Sequence, residues 1–377
     1  MKKIRILHCA DLHFDSAFRE LDKNISLKSR VEIFESFKKI INLVISEKIE
    51  ILLIAGDLFD NIFFTKSTTN FIINEFKRIK ETYIFISPGN HDPYNKKSVY
   101  ALFQWPENVY IFKGNMESVK LDSLGVIVWG AAFTDKYSKK TLFENIQVDN
   151  NYINLMVLHG EVCTSGKVSE YNPIYLEDIR KSNLNYIALG HKHNFSSVLK
   201  EGDTYYSYSG CMPGKGFDET GEKGIIVGDI YENTVDLKFL PMAKRKYLEI
   251  ELSLDNVKSY EEIETKLCSI INESERNINM YKIILKGFID EYFNLNEKIL
   301  YEKMKDKFYY VWFINKTKIS INLSEASKNY SLRGKFILAA MEKLRQCNNL
   351  NDKEIINLAL KIGLQCFSSE EVTLDDN

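Results

Sequence analysis

Tyr83-Ile84-Phe85-Ile86-Ser87-Pro88-Gly89-Asn90-His91-Asp92 is the stretch on which the fold turns. Its short run of β-branched and aromatic residues reads as a buried strand, and Pro88-Gly89 stops it abruptly. Asn90, His91 and Asp92 are thereby put on a loop at the strand's C-terminal edge. In an open α/β sheet that edge is where ligands bind. Asn90 offers a neutral carbonyl oxygen to a metal, His91 a group that titrates near neutrality, and Asp92 is placed to orient the imidazole. An Asn-His-Asp turn after Pro-Gly is also an ordinary polar loop, so the decision rests on its company.

Upstream, Ile4 to Cys9 reads as a strand leaving through Ala10-Asp11-Leu12-His13-Phe14-Asp15. Asp11 and His13 are two apart, so on an extended segment they face the same side and can share one ion. The bland alternative is an Asp that caps the next helix. His8, inside the strand, reads as a satisfied core histidine. A helical pattern runs from Leu27 to Ile45, with Val31, Phe34, Phe37, Ile41 and Val44 at helical spacing. Ile49 to Ala55 is a continuous apolar run, fit for a strand buried on both faces, and ends in Gly56-Asp57-Leu58-Phe59-Asp60. Gly56 permits a tight turn that frees the Asp57 carboxylate to bridge two cations. Ser67 to Lys80 is the next helix, and the alternation of strand and helix is that of a parallel sheet.

Downstream, Ile153 to Leu158 delivers His159-Gly160-Glu161 at a strand end, and Tyr186 to Leu189 delivers Gly190-His191-Lys192-His193 likewise. Histidines at i and i+2 on extended backbone point the same way, which suits two metals roughly 3.5 to 4 Å apart. From Ser196 to Leu240 the chain reads as hairpins around a Gly-rich loop, Gly210 to Gly224, that lacks the spacing and the Ser/Thr of a phosphate-binding loop. Pro241 to Lys246 is short and basic, either a solvated linker or a phosphate contact. A β-α-β-α-β series follows from Tyr247 to Ile314. Two helices with apolar stripes, Ser331 to Arg345 and Lys353 to Phe367, lead into the acidic stretch Glu370 to Asn377. Such a stripe serves a core more often than a partner.

The 377 residues are 45% hydrophobic and 27% charged, as in soluble proteins large enough for one big domain and a smaller one. A net charge of −2 gives no global basic field, so a polyanionic partner must be held by local basic patches and bound cations. The six cysteines are scattered without a Cys-x-x-Cys pair and read as reduced thiols of a cytoplasmic protein. No apolar stretch reaches the roughly 18 residues of a membrane span. All six histidines lie between His8 and His193. That crowding points to one site in one domain.

Asp-x-His, Gly-Asp-x-x-Asp, Gly-Asn-His-Asp, His-Gly and Gly-His-x-His, in this order and each at a strand end, resemble the motif set of the calcineurin-like metallophosphoesterase superfamily over roughly the first 240 residues. Ala10 to Ser16, Gly56 to Asp60 and Phe217-Asp218-Glu219-Thr220-Gly221-Glu222-Lys223-Gly224 resemble the SbcD-like DNA repair exonucleases, most closely their YhaO branch. The stretch Ala359 to Leu364 is similar to that branch too. The resemblance implies a four-layer α/β/β/α sandwich over residues 1–243, a small α+β capping domain over 244–330, and C-terminal helices over 331–377 as a partner-binding segment. It further implies one metal on Asp11, His13 and His193, a second on Asn90, His159 and His191, and Asp57 bridging both. His91 would contact the scissile phosphate or protonate the leaving oxygen, with Asp92 in support. Archaeal and eukaryotic relatives carry a His where Asp60 stands.

Mixed oxygen and nitrogen ligands without thiolate favour Mn2+ or a similar ion. The expected activity is that of a metal-dependent DNA exonuclease or endonuclease subunit in DNA repair, beside an SMC-like ATPase and with room for a homodimer. A phosphomonoesterase or cyclic-nucleotide phosphodiesterase shares the metal motifs, and a DNA-end-binding scaffold would keep them with little turnover.

Overall fold

The computed structural model describes residues 2–18, 21–60, 64–164, 166, 168–290, 293, 295–320 and 331–368. The chain divides into two units, Met1–Lys246 and Tyr247–Asn377. In the first unit, parallel strands β1 (Lys3–Cys9), β2 (Ile51–Ile54), β3 (Tyr83–Ile86) and β4 (Val109–Ile111) alternate with helices α1 (Lys23–Ser46) and α2 (Lys66–Lys77). Asp22 caps α1 by accepting from the N–H groups of Asn24 and Ile25, and Thr65 caps α2 through Thr68 N–H. After β4 the chain leaves this sheet for a second one, built from β5 (Glu117–Leu121), β6 (Val126–Gly130) and β7 (Ile153–His159). A two-stranded ribbon, β8 (Glu161–Cys163) with β9 (Pro173–Tyr175), interrupts it before β10 (Tyr186–Gly190), β11 (Leu199–Glu201) and β12 (Thr204–Tyr208). β13 (Gly224–Tyr231) then returns to lie antiparallel beside β1, with β14 (Val235–Pro241) at the edge.

Among the described residues this makes two six-stranded sheets, ordered β14-β13-β1-β2-β3-β4 and β11-β12-β10-β7-β6-β5. Alternate side chains explain why they stack. Ile4, Ile6, Ile51, Leu53 and Phe85 from the first sheet share one buried core with Val126, Val128, Leu155, Val157 and Ala188 from the second. The residues between them point outward, so that Trp129, Met156, Leu158, Ile187 and Leu189 pack against Ile174, Ile179 and Leu184 on the far side. Every central strand is thus buried on both faces, and the expected four-layer sandwich is the result. The two sheets run parallel at their centres, which brings the ends of β1, β2, β3, β7 and β10 to one edge.

The basic stretch before the second unit is not a solvated linker. Buried Arg245 donates to the Glu32 carboxylate of α1, with Nε 2.7 Å from Oε2, while Lys244 pairs with Glu35 and Lys246 with Glu222. Arg245 is thereby committed to Glu32, while Lys244 and Lys246 hold solvent-exposed pairs.

The second unit holds a three-stranded parallel sheet, Tyr247–Ser253, Met280–Lys286 and Tyr310–Asn315, crossed by helices Tyr260–Ile270 and Glu297–Met304 over a core that includes Tyr281, Ile283, Leu300 and Phe313. Helices Leu332–Gln346 and Leu350–Ser368 bury Ile337, Leu360 and Leu364 between them and Ile319. The boundary expected at residue 330 and the acidic stretch 370–377 lie outside the described residues. None of the six cysteines is in a disulfide. No described helix is long and apolar enough to cross a membrane.

Candidate metal centre

The loops after β1 and β2 are zipped together by backbone hydrogen bonds, Asp11 N to Gly56 O, His13 N to Asp57 O and Phe14 N to Leu58 O, each about 3.0 Å long. This pairing bends the chain into the left-handed region at Asp11 (φ +52°), His13 (+49°) and Asp57 (+49°), and His191 stands at +101°. Side chains therefore converge from strained turns. The extended backbone expected for Asp-x-His and His-x-His is not what aims them, because each loop must turn over the sheet edge to reach the centre. Four such residues at one spot mark a place where surrounding structure holds the backbone for function. Two glycines make the approach possible: a Cβ on Gly56 would lie 2.3 Å from His159 Nδ1, and one on Gly89 would lie 2.3 Å from Asp57 Oδ1.

Tautomers follow from the outer hydrogen bonds. His159 Nδ1 donates to Ala55 O at 2.9 Å, so its Nε2 carries a lone pair, and that atom faces Asn90 Oδ1 at 2.9 Å. His193 Nδ1 donates to Glu219 Oε1 at 2.5 Å and His13 Nδ1 lies 3.0 Å from Asp60 Oδ1. Their Nε2 atoms meet 3.3 Å apart. Two pairs of acceptor atoms thus face one another in a buried place, an arrangement that a cation between them reconciles. Asp57 Oδ2 lies 3.8 Å from His13 Nε2 and 3.5 Å from His159 Nε2, between the pairs. Asp11 Oδ1 is 3.8 Å from His193 Nε2 and 4.0 Å from His13 Nε2. The donors suit divalent ions: two carboxylates, one amide oxygen and imidazoles, with no thiolate among them.

Charge follows the same plan. Burial raises the Asp57 carboxyl, but His159, His13 and His91 outweigh it and hold it below the usual carboxylate range. Burial, with His159 beside it, lowers His191 to about 4, leaving a neutral imidazole ready to ligate. His191 itself is placed by its N–H, which donates to Asp11 at 3.1 Å, and its ring centre lies 5.3 Å from that of His159.

The calcineurin-like phosphoesterase family matches residues 4–209, which hold every one of these residues except Glu219. The chain belongs to that family. The uncharacterized metallophosphoesterase YhaO of Bacillus subtilis is 27% identical over 246 residues, 63% of this chain and 60% of that protein. The chain therefore matches less than two thirds of the length of YhaO. The DNA double-strand break repair protein Mre11 of Saccharolobus solfataricus is 23% identical over 402 residues, covering 95% of this chain and 98% of that one. A crystal structure, TT1561 of Thermus thermophilus, aligns with a TM-score of 0.40 and 11% identity over 63% of this chain and 98% of that chain.

In this calcineurin-like phosphoesterase, His91 stands at the mouth of the centre, its ring 4.9 Å from that of His13. Its backbone N–H donates to Asp57 Oδ1 at 2.9 Å, and its Nδ1–H donates to Asp60 O at 2.7 Å, which leaves Nε2 for a substrate oxygen. The pairing of Asp92 with His91 expected from their adjacency is not made. Asp92 is buried and accepts from Gly89 N (2.8 Å), Phe59 N (3.0 Å) and Tyr100 OH (2.6 Å), so it fastens the loop from below. The Asp60 carbonyl orients the imidazole instead. Asp60 has two further tasks, since its carboxylate lies beside His13 and accepts from Lys215 Nζ at 3.2 Å. Burial raises that carboxyl, but the His13 hydrogen bond and the Lys215 charge hold it well below its usual range.

Glu219 is the residue that motif reading passed over. It sits in the Gly-rich loop, and its other oxygen accepts from Lys215 N at 2.7 Å and Cys211 Sγ at 3.2 Å. Burial raises its carboxyl, but the His193 hydrogen bond and charge bring it down to about 2. The available signal was a Glu within a loop already singled out by resemblance. His8 is a core histidine, its Nδ1 2.9 Å from Tyr186 OH and its Nε2 3.1 Å from Leu189 O.

Proposed function

We propose that this phosphoesterase is a DNA nuclease subunit that hydrolyses phosphodiesters with two divalent cations, Mn2+ by preference, in DNA repair. The observation that carries the reading is the position of Asp57 Oδ2 between His13 Nε2 and His159 Nε2, each of which faces a second acceptor. Asp11, His13 and His193 would hold one ion, and Asn90, His159 and His191 the other, with Asp57 shared. When bound, such a pair supplies the charge that neutralises a phosphodiester and acidifies water. The chain supplies the rest. His91, fixed through Nδ1 by Asp60, presents Nε2, from which its imidazolium form would pass a proton to the departing oxygen and return to the neutral ring. Glu219 keeps the Nδ1 proton of His193 outward, so that its Nε2 stays basic, and the Asp60 carboxylate stands 3.0 Å from Nδ1 of His13.

DNA as substrate is favoured by the likeness to Mre11 of Saccharolobus solfataricus along almost the whole of both chains. The terminal helices favour a partner: Leu332, Leu350, Ile355 and Leu358 are exposed apolar side chains on a helix pair that has already closed its small core, and the resemblance to the SbcD-like exonucleases is what makes an SMC-like ATPase our choice of partner. The test is cleavage by the purified full chain with Mn2+ of labelled single- and double-stranded DNA, in parallel with a nitrophenyl phosphodiester. Shortened DNA products are expected. Hydrolysis of the small ester alone would refute the nuclease reading and leave a phosphoesterase of small substrates.

A further inference from the structure

Lys215 stands between Gly214 and Gly216 in the Gly-rich loop and reaches two carboxylates at once. Its backbone N–H donates to Glu219 Oε2 at 2.7 Å, and its Nζ donates to Asp60 Oδ1 at 3.2 Å across 155 residues of chain. An ammonium and a carboxylate paired on a surface ordinarily contribute little. This pair is held differently. Each side chain is 20% exposed, and the same Asp60 Oδ1 stands 3.0 Å from His13 Nδ1. Asp60 is also fixed at its backbone, where its N–H donates to Phe14 O at 2.9 Å. Tied at both its N–H and its carboxylate, Asp60 has little freedom to swing its carbonyl away from His91 Nδ1, 2.7 Å distant. One ammonium from a distant loop therefore closes a series of bonds that ends on the imidazole at the mouth of the centre.

We propose that Lys215 is a positioning residue for phosphodiester hydrolysis, acting through Asp60 on the aim of His91 Nε2. The inference rests on the reading of His91 as the proton donor and adds the group that holds it in line. A proton passes to a departing oxygen only along a short, directed hydrogen bond, and a ring free to turn spends part of its time aimed elsewhere. The need differs between esters. The oxygen leaving on a nucleoside is strongly basic and must take a proton as its bond to phosphorus breaks, whereas nitrophenolate departs as the anion. A defect confined to the aim of His91 is felt by the first ester and largely spared by the second. A lysine that held the phosphate itself would matter to both, and one that served only the fold would not tell them apart.

The test compares a short deoxyoligonucleotide with a nitrophenyl ester of thymidine phosphate, each hydrolysed by the full chain at saturating Mn2+, in the wild type, Lys215→Met, Lys215→Arg and His91→Ala. Lys215→Met keeps the N–H that serves Glu219, and should keep the wild-type KM and metal content. Its kcat on the oligonucleotide should be about 10- to 100-fold lower, with a loss on the nitrophenyl ester roughly tenfold smaller. Lys215→Arg should restore most of that kcat. In the His91→Ala background, Lys215→Met should cost nothing further, because its effect passes through the ring already removed. Histidine ring spectra of the chelated chain, read by NMR and assigned with His91→Ala, should show His91 leaving its Nδ1–H tautomer in Lys215→Met. Equal losses on the two esters, a raised KM, or full additivity with His91→Ala would overturn the positioning role while the nuclease reading stands. A His91→Ala chain that loses both esters equally, or a wild type that cleaves only the nitrophenyl ester, would instead overturn the reading on which the inference rests, and the inference with it. If Lys215→Met shows no thermal transition, Asp60→Ala cuts the same tie from its other end and keeps the carbonyl, and the same selective loss is expected of it; an unselective loss there overturns the proposal.

Discussion

Glu219 accepts a 2.5 Å hydrogen bond from Nδ1 of His193, and so decides which nitrogen of that imidazole faces Asp11 and His13. Glu219→Gln can still accept that bond but loses the charge that makes Nε2 basic. Mn2+ affinity should fall about 10- to 100-fold for one of two equivalents and remain for the other. Calorimetric titration of the metal-stripped chain reads this directly, and two unchanged sites would show that Glu219 does not position His193.

Asp57 stands between both pairs of acceptors, so its removal should not be selective. Asp57→Asn replaces the shared anion by a neutral amide, and metal content and phosphodiesterase activity should fall together. Elemental analysis is the check. Two retained equivalents would end the two-ion assignment.

His91 and Asp92, neighbours in sequence, should fail in different ways. His91→Ala leaves the ligands in place, so metal stays bound while kcat drops about 10²-fold or more, the scale of a lost general acid. Asp92→Ala strands the donors of Gly89, Phe59 and Tyr100 in a buried place, and should cost about 3 kcal/mol or more of stability. Steady-state kinetics and urea denaturation of the two variants separate chemistry from scaffold. Metal loss in His91→Ala would make that residue a ligand.

His8 predicts an acid limit on stability. Burial lowers it to about 3, below its unfolded value near 6.5, so the unfolded chain binds the proton first. Its contribution is fully present above pH 6.5 and is lost on acidification towards pH 3, at about 1.4 kcal/mol per pH unit. In a chelator, wild-type stability measured at pH 7, 6 and 5 should fall more steeply than that of His8→Gln by this amount. Parallel profiles would mean that His8 is not the neutral, doubly bonded imidazole described here.

Truncation before Ser331 should leave a folded phosphoesterase that hydrolyses small diesters and no longer copurifies with an SMC-like ATPase. Size-exclusion chromatography after co-expression decides it. A truncated chain without a thermal transition would make the helices part of the second unit's core.

The parts of the site that were legible in the sequence are those announced by strand grammar. An apolar run ending in Gly-Asp, Gly-Asn-His-Asp or Gly-His-x-His gives the type of residue and the sheet edge where it sits, and Asp11, His13, Asp57, Asn90, His159, His191 and His193 do gather at one edge. Adjacency misled where the partner comes from elsewhere in the chain. Asp92 follows His91, yet the bond to His91 Nδ1 comes from the carbonyl of Asp60, 31 residues upstream. Glu219 reaches His193 across 26 residues from a loop without periodicity. The exchange between sheets was likewise illegible, because β13 pairs with β1 only after the second sheet is complete, and nothing local in Gly224–Tyr231 says which sheet it joins.

The facing acceptor atoms of His13 with His193 and of His159 with Asn90 have a consequence for the life of this chain in a cell. A fold that sets lone pairs against one another is held together more firmly by any ion that fills the gap, and each tenfold rise in ion concentration above its dissociation constant adds about 1.4 kcal/mol of stability. Starved of divalent ions, the chain opens more often and is degraded sooner. Metal supply is therefore expected to act on the persistence of the folded chain as well as on its chemistry, and the half-life of the chain with and without a chelator would check it.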